Sequence, residues 1–381
     1  MAISWTHGFK PAAQTSAAIR VIRPILIILM SFAHIGILNE VVSINNAVAL
    51  DFNSWMTVYL KAGVAKSGVP LLSLISGYLA VMSLERYGYF KILLRKARRL
   101  VWPLVWSNLL FIILITYPSQ AHDASVRPDL QIHPFNWLGW FQATFAFYRL
   151  PANQPLYFLK DLYTCFLLLP LLVVLARIRY LNLAVIVWMA YKCIYLKSAF
   201  LFMVFPLWFL RFDIVFAFYI GILLYFWNKD LVIQSNRINL GLVTLFLVVT
   251  GLASAMYVVL AKPEHVALFL WTDFLVKVCS VIGCIGLMSL LVNNPGGVSR
   301  FFNRLSPFAY TLFLTHLFTF TFFNKTYLHF LGAPEFYGLD GFIYLGLMLA
   351  TAVGVAIALK TGWSWIAAMV RTQFFSNRHG A

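Results

Sequence analysis

The sequence predicts an all-α, polytopic integral membrane protein, on three observations. Hydrophobic residues make up 62% of the 381 and charged residues 11%, with 35 Phe, 18 Tyr and 12 Trp. Soluble domains hold about 45–50% apolar and about 25% charged residues. The apolar residues gather into runs near the ~20 that cross a bilayer as helix. Finally, the basic residues concentrate in alternate loops, as the positive-inside rule requires of a chain that crosses repeatedly.

Ten spans are predicted, at 20–40, 64–84, 100–117, 156–176, 181–198, 204–227, 239–261, 267–292, 305–324 and 341–362. The fifth ends against Lys192 and Lys197; if it failed to cross, every later loop would change sides. One set of flanks carries Lys10, Arg20, the run from Arg86 to Arg99, Arg177, Arg179, Lys229, Arg237, Arg300, Arg304, Arg371 and Arg378. The other holds Glu40, Asp51, His122, Asp123, Asp129, Glu264, Glu335 and Asp340. Both termini are therefore expected in the cytoplasm. This reading gives a cytoplasmic segment 1–19, a ten-helix domain 20–362 with an extracytoplasmic loop 118–155, and a cytoplasmic tail 363–381. Residues 1–18 are polar and lack the apolar core of a cleavable leader. The net charge of +17 reads as orientation signal and contact with anionic headgroups, not as a nucleic-acid surface, because the cations are scattered along membrane flanks. Cys165, Cys193, Cys279 and Cys284 lie in apolar segments without metal or redox spacing and read as small hydrophobes. No metal site is expected.

In the first span, RPILIILMSFAH places Arg23 and His34 eleven residues apart. On a straight α-helix this is three turns plus about 20°, with about 16 Å of rise, so both lie on one face. Ionisable groups at such depth are costly and usually line a pathway; the alternative is a snorkelling arginine and a histidine bonded to a neighbouring helix. In the ninth span, SPFAYTLFLTHLF, His316 stands twelve residues past Arg304. That is about 18 Å of rise, so two histidines on helices rising from the same side reach similar depth.

Before the third span, Arg95-Lys96-Ala97-Arg98-Arg99 is a topology determinant and equally a phosphate site, where Arg suits bidentate contact. Arg23 enters from the same side, so a polyphosphorylated cytoplasmic ligand can dock there with an arm reaching along the first helix. In the second span, Lys66 lies inside the apolar run, where an unpaired ammonium is costly, and Ser76-Gly77 is a small-residue step suited to close helix approach. Asp161 (beside Lys160) and Arg211 (near Asp213) are placed to line the outer half of a cavity, while Asp273 and Lys277 have the i,i+4 spacing of a local ion pair. The long outer loop contains HPFNWLGWFQATFAFY; Trp137 and Trp140 fit either stacking on sugar rings or an interfacial aromatic belt.

Taken together, Arg-x10-His in span one, Lys66-x-x-Val-Pro…Ser-Gly-Tyr-Leu in span two and the basic run before span three resemble the membrane acyltransferase-3 family. LYFLKDLYTCFLLLPLL and SPFAYTLFLTHLF add to the resemblance, which covers nearly the whole chain in the expected order. The chain departs from the family at Pro24, where Gly is commoner, at Lys66, where Arg is frequent, and at Tyr157, where Trp is usual. The resemblance implies transfer of an acyl group, acetyl or succinyl, from cytoplasmic acyl-CoA to a hydroxyl of an extracytoplasmic glycan, at the inner membrane of a bacterium. Exopolysaccharides, O-antigens, periplasmic glucans and cellulose are all acceptors within that range, and other polysaccharide synthesis or export proteins are candidate partners. Under this reading His34 is the general base or a transient acyl carrier. His316, Lys66 or Ser76 orients the carbonyl, and Arg23, Lys66, Arg95, Arg98 and Arg99 hold the CoA. Asp161, Arg211, Trp137 and Trp140 meet the acceptor. A competing class is a secondary transporter or glycan flippase with these charges on its pathway; the related halves and matching broken helices typical of transporters are not found in the sequence. A third is a non-enzymatic subunit of an export complex.

Overall fold

The computed structural model describes residues 13–34, 59–123, 127, 129–147, 150–195, 199–200, 209–259, 266–331 and 339–376. Helix accounts for nearly all of them, the expected outcome for a chain whose backbone N–H and C=O groups must find partners without water. In chain order these are α1 (Ala13–Ser31), α2 (Gly68–Tyr87), α3 (Tyr89–His122), α4 (Trp137–Phe145), α5 (Tyr157–Leu167), α6 (Leu169–Arg177) and α7 (Arg179–Tyr195). They continue with α8 (Phe212–Phe226), α9 (Asn236–Val259), α10 (Val266–Asn293), α11 (Gly297–Leu305), α12 (Ala309–Leu331) and α13 (Leu339–Ser376). Among the described residues the strand content is one two-residue antiparallel pairing, β1 (Ala199–Phe200) with β2 (Phe209–Leu210).

Six helical segments among the described residues are long and apolar enough to cross a bilayer: Ala13–His34, Val64–Tyr87, Tyr89–His122, Asn236–Met256, Leu270–Asn293 and Ile343–Trp365. The α5–α6 pair makes a seventh if its two halves, bent by 59°, are counted as one span. The bend falls where Pro170 withdraws a backbone donor from the ladder. The Tyr89 hydroxyl donates to the Leu167 carbonyl beside it, at 2.9 Å.

The other three expected spans differ for identifiable reasons. The fifth corresponds to α7, 17 residues with Lys192 in its last turn. The sixth is shorter than expected: α8 has 15 residues, about 22 Å of rise against a ~30 Å hydrocarbon core. Residues 201–208 of that expected span lie outside the described residues. The ninth is a helix of 23 residues, but Thr311, Thr315, His316, Thr319, Thr321, Asn324 and Lys325 make it polar for a span. At the other extreme, α13 runs 38 residues, so helix continues from the expected last span through 363–376. The loop predicted at 118–155 also carries structure, including the helix α4.

α1 is the hub, packed against α2, α10, α11 and α12, with Ala18, Ile22 and Leu26 fully buried. Around it the closest pairs are α2 with α8, α9 with α10 and α12 with α13. Backbone meets backbone where α2 crosses α8. A Cβ on Gly77 would lie 2.0 Å from the Phe218 carbonyl oxygen, and one on Gly221 would lie 2.0 Å from that of Leu74. The Ser-Gly step read from the sequence thus serves close approach through its glycine. Gly88 separates α2 from α3 with φ of +74°, in the region that favours glycine.

Candidate active site

His34 and His316 meet. α1 ends at Ser31, and Phe32–His34 continues it as a single 3₁₀ turn. This changes the expected geometry: eight α steps and three 3₁₀ steps place Arg23 and His34 about 80° apart around the axis and about 18 Å apart along it. His34 therefore turns away from Arg23's stripe, and its ring faces His316 of α12 with centroids 5.6 Å apart and planes at 50°. His316 is fully buried. Its Nδ1 lies 2.8 Å from the Phe313 carbonyl and 3.3 Å from that of Leu312, one helical turn back. Nδ1–H must donate, because a carbonyl oxygen only accepts. Neutral His316 then presents a lone pair at Nε2, which has no hydrogen-bond partner among the described residues. Phe313 and Phe320 wall the ring, at centroid distances of 6.1 and 5.7 Å.

Below the pair, at the end of the bundle that carries Arg23, cations converge. Within α3, residues Ala97–Val101 form a π-helical turn, which spreads Arg95, Lys96, Arg98 and Arg99 differently from α-helical spacing. Lys96 lies within electrostatic range of both Arg23 and Arg99, and its ammonium sits 4.3 Å above the Phe166 ring. Arg23, Arg98 and Arg99 are exposed. The Tyr310 hydroxyl donates to the Arg99 carbonyl, tying the start of α12 to this turn. Arg95 faces elsewhere, with its guanidinium 4.1 Å from the Tyr87 ring centroid. The structure thus gathers Arg23, Lys96 and Arg99 and sets Arg95 apart. Lys96, a member of the basic run, thus joins the expected CoA ligands Arg23 and Arg99.

At the opposite end, buried carboxylates and half-buried cations form a chain across three helices. Lys66, in the 3₁₀ turn Val64–Ser67 ahead of α2, pairs with Asp273 of α10. Asp273 also pairs with Lys277, at 3.2 Å, as the i,i+4 spacing predicts. Lys277 reaches Asp213 of α8, again at 3.2 Å, and Asp213 takes a 2.7 Å contact from Arg211. The Arg211 guanidinium lies 4.6 Å above the Tyr157 ring of α5. The turn holding Lys66 packs against Phe32–His34, so this chain begins near the depth of the histidine pair.

Other expected residues fall elsewhere. Ser76 is eight residues further along α2 than Gly68, which abuts Leu26 and Met30. It is therefore displaced about 12 Å toward the basic end, away from the histidines. Trp140 is held by its indole N–H on the Ile132 carbonyl, at 3.3 Å, and by the Tyr117 and Phe135 rings, whereas Trp137 is 70% exposed. Sequence reasoning missed the polar clasp that docks this loop. Buried Asn108 of α3 donates to the Thr144 carbonyl at 2.7 Å and accepts from the Asn153 N–H at 3.1 Å. Asn153 in turn donates to Ser107 at 3.2 Å and to the Leu314 carbonyl of α12 at 3.4 Å. A lone Asn in the apolar run of span three was its available signal. Among the described residues, no three His, Cys, Asp or Glu side chains group as metal ligands would.

A helical membrane protein with an imidazole pair set above a cationic mouth has the parts that group transfer needs, and similarity to known proteins agrees. Residues 16–361 match the family model described as an acyltransferase domain. The chain is 30% identical over 358 residues, covering 89% of it and 88% of the relative, to the succinoglycan biosynthesis protein ExoH of Rhizobium meliloti (strain 1021). No solved structure matches. The chain belongs to the membrane acyltransferase-3 family, and it is a multi-pass membrane acyltransferase.

Proposed function

We propose that this enzyme moves an acyl group from cytoplasmic acyl-CoA to a hydroxyl of an extracytoplasmic exopolysaccharide, with His34 as general base and His316 as its partner. The observation that carries the reading is the 5.6 Å meeting of the two rings, one of them with a tautomer set by the Phe313 carbonyl. With Nδ1–H of His316 held on the Phe313 carbonyl, His316 keeps its Nε2 lone pair beside the His34 ring, and His34 takes the acceptor's proton on a ring nitrogen. The hydroxyl oxygen attacks the thioester carbonyl, the C–S bond breaks, and the proton passes to the departing thiolate. A base in position contributes about 10²–10⁴ in rate. Arg23, Lys96, Arg98 and Arg99 take the CoA phosphates, and the thiol arm follows α1 toward His34, about 18 Å away along the axis. Acetyl-CoA and succinyl-CoA are the candidate donors. The acceptor class follows from the relative's name, and the inner membrane from the cytoplasmic donor and external glycan.

The test supplies purified protein in nanodiscs with radiolabelled acetyl-CoA or succinyl-CoA and a deacylated succinoglycan oligosaccharide. Wild type is expected to label the glycan and release CoA; label transfer that survives His34→Ala overturns the assignment.

A further inference from the structure

Arg95 is the member of the basic run that the donor mouth leaves out, and its surroundings point to a different ligand. Three cations gather on one ring. The Arg95 and Arg86 guanidinium carbons lie 4.1 and 5.2 Å from the Tyr87 ring centroid, and Lys91 Nζ lies 6.0 Å from it. All three residues are exposed, and none pairs with a carboxylate among the described residues. Lys91 and Arg95 stand at i,i+4, where like charges repel. Lys91 also lies in the first turn of α3, where the helix end is itself positive and no acidic residue offsets it. The ring face offsets part of this repulsion. An anion held between the three would offset the rest.

The cluster lies at a membrane surface. Val64–Tyr87 and Tyr89–His122 are both long and apolar enough to cross the bilayer, and Gly88 alone separates them. The turn therefore stands where the chain leaves the membrane and enters it again. Phe90 and Leu94, 77% and 68% exposed, are also at i,i+4. Each precedes one of the cations Lys91 and Arg95 by one residue, about 100° around the helix, so an apolar stripe runs beside the basic one. Two large apolar side chains so exposed are costly in water and suited to acyl chains. Ile92 is buried, and the Tyr89 hydroxyl donates to the Leu167 carbonyl at 2.9 Å, which holds the segment against the bundle with both stripes outward. A ligand that fits them carries a negative phosphate next to hydrocarbon.

We propose that Arg86, Lys91 and Arg95 bind the headgroup phosphate of one anionic membrane phospholipid, with its acyl chains alongside Phe90 and Leu94 and the Tyr87 ring as the floor of the site. The two guanidinium groups suit the phosphate oxygens, and Lys91 adds a point charge. A headgroup of net negative charge is selected, because phosphatidylcholine carries the same phosphate with a cation attached. The basic run thus divides: Arg95 turns to lipid, while Lys96, its neighbour, turns to Arg23, Arg99 and the Phe166 ring. The site stands independently of the acyl-transfer reading.

The experiment uses native mass spectrometry to count the phospholipids that the full-length protein retains from detergent micelles holding equimolar phosphatidylglycerol and phosphatidylcholine. Desulfo-CoA affinity is measured on the same samples. Wild type is expected to retain one phosphatidylglycerol in preference to phosphatidylcholine. The triple variant Arg86→Ala, Lys91→Ala, Arg95→Ala should lose that retention at least tenfold. Arg95→Ala alone should weaken it severalfold while desulfo-CoA affinity stays within twofold of wild type. Arg300→Ala, which removes an exposed cation of α11 outside the cluster, should retain the lipid as wild type does. Equal retention of the two lipids by wild type, or phosphatidylglycerol retained by the triple variant, overturns the site. So does a loss in Arg300→Ala that matches the loss in Arg95→Ala, by showing unspecific surface charge. Loss of desulfo-CoA affinity in Arg95→Ala with lipid retention intact overturns it too, and returns Arg95 to the donor mouth. Parallel loss of both ligands in Arg95→Ala overturns it by showing a general structural role.

Discussion

His316→Phe separates the chemistry of the imidazole pair from its contribution to packing. The ring lies among Phe313 and Phe320 and is fully buried, so a phenyl group meets apolar walls. The substitution removes a 2.8 Å hydrogen bond to Phe313, worth about 0.5–1.5 kcal/mol, and relieves a buried acceptor without a partner, which costs about 1–3 kcal/mol. The larger ring adds strain of about 1–3 kcal/mol. These terms oppose one another, and stability is expected to stay within about 2 kcal/mol of wild type. Activity responds differently. If the rings act as one proton-handling unit across 5.6 Å, His316→Phe and His34→Ala each lower kcat by about 10³, close to 4 kcal/mol of barrier. The double variant should then be no worse than either single one, because a unit already broken cannot be broken twice. Independent roles would instead multiply to about 10⁶, close to 8 kcal/mol. Thiol release from acyl-CoA in nanodiscs, with thermal unfolding alongside, reads both quantities. A multiplicative double variant, or a His316→Phe protein with wild-type kcat, refutes the pairing.

Three further outcomes are expected. Gly77→Ala and Gly221→Ala each drive a methyl to within 2.0 Å of a carbonyl oxygen on the facing helix and should lower stability by at least the ~1–3 kcal/mol of overpacking, read as a lower unfolding midpoint; Gly241→Ala and Gly346→Ala, with nothing within 4 Å, serve as controls. Asp213→Asn strands Arg211 and leaves Lys277 with Asp273 alone and should destabilise by about 3–5 kcal/mol, with part recovered on adding Lys277→Met, as thermal unfolding of the single and double variants will show. Lys96→Ala or Arg99→Ala should raise the KM for acyl-CoA several-fold with kcat little changed, and more so than Arg95→Ala, whose side chain stacks on Tyr87. Because Arg98 and Arg99 are exposed, rising ionic strength should also raise the wild-type KM through screening.

Much of the site was legible because it depends on position along single helices. The matched depths of His34 and His316 follow from counting residues past a basic flank, and Asp273–Lys277 from helical spacing. The 3₁₀ turn at Phe32–His34 was not legible, since its residues give no local signal for leaving α-helix, and it rotates His34 toward α12. Lys66–Asp273 and Lys277–Asp213 join residues 207 and 64 apart in sequence, beyond the reach of any periodicity. The Asn108–Asn153 clasp was missed for the same reason.

The sequence by itself determined that this chain is a helical membrane protein, which end of the bundle is basic, and which ionisable residues had to be accommodated in apolar surroundings. Composition and run length suffice for that, because lipid penalises every unpaired polar group regardless of what packs beside it. Only the tertiary structure decided the partners: His316 for His34, Asp273 for Lys66, and the cationic mouth for Lys96 instead of Arg95. Those choices depend on which helices lie side by side, and that is set by close contacts such as Gly77 on Phe218, where the absence of a side chain lets two backbones meet.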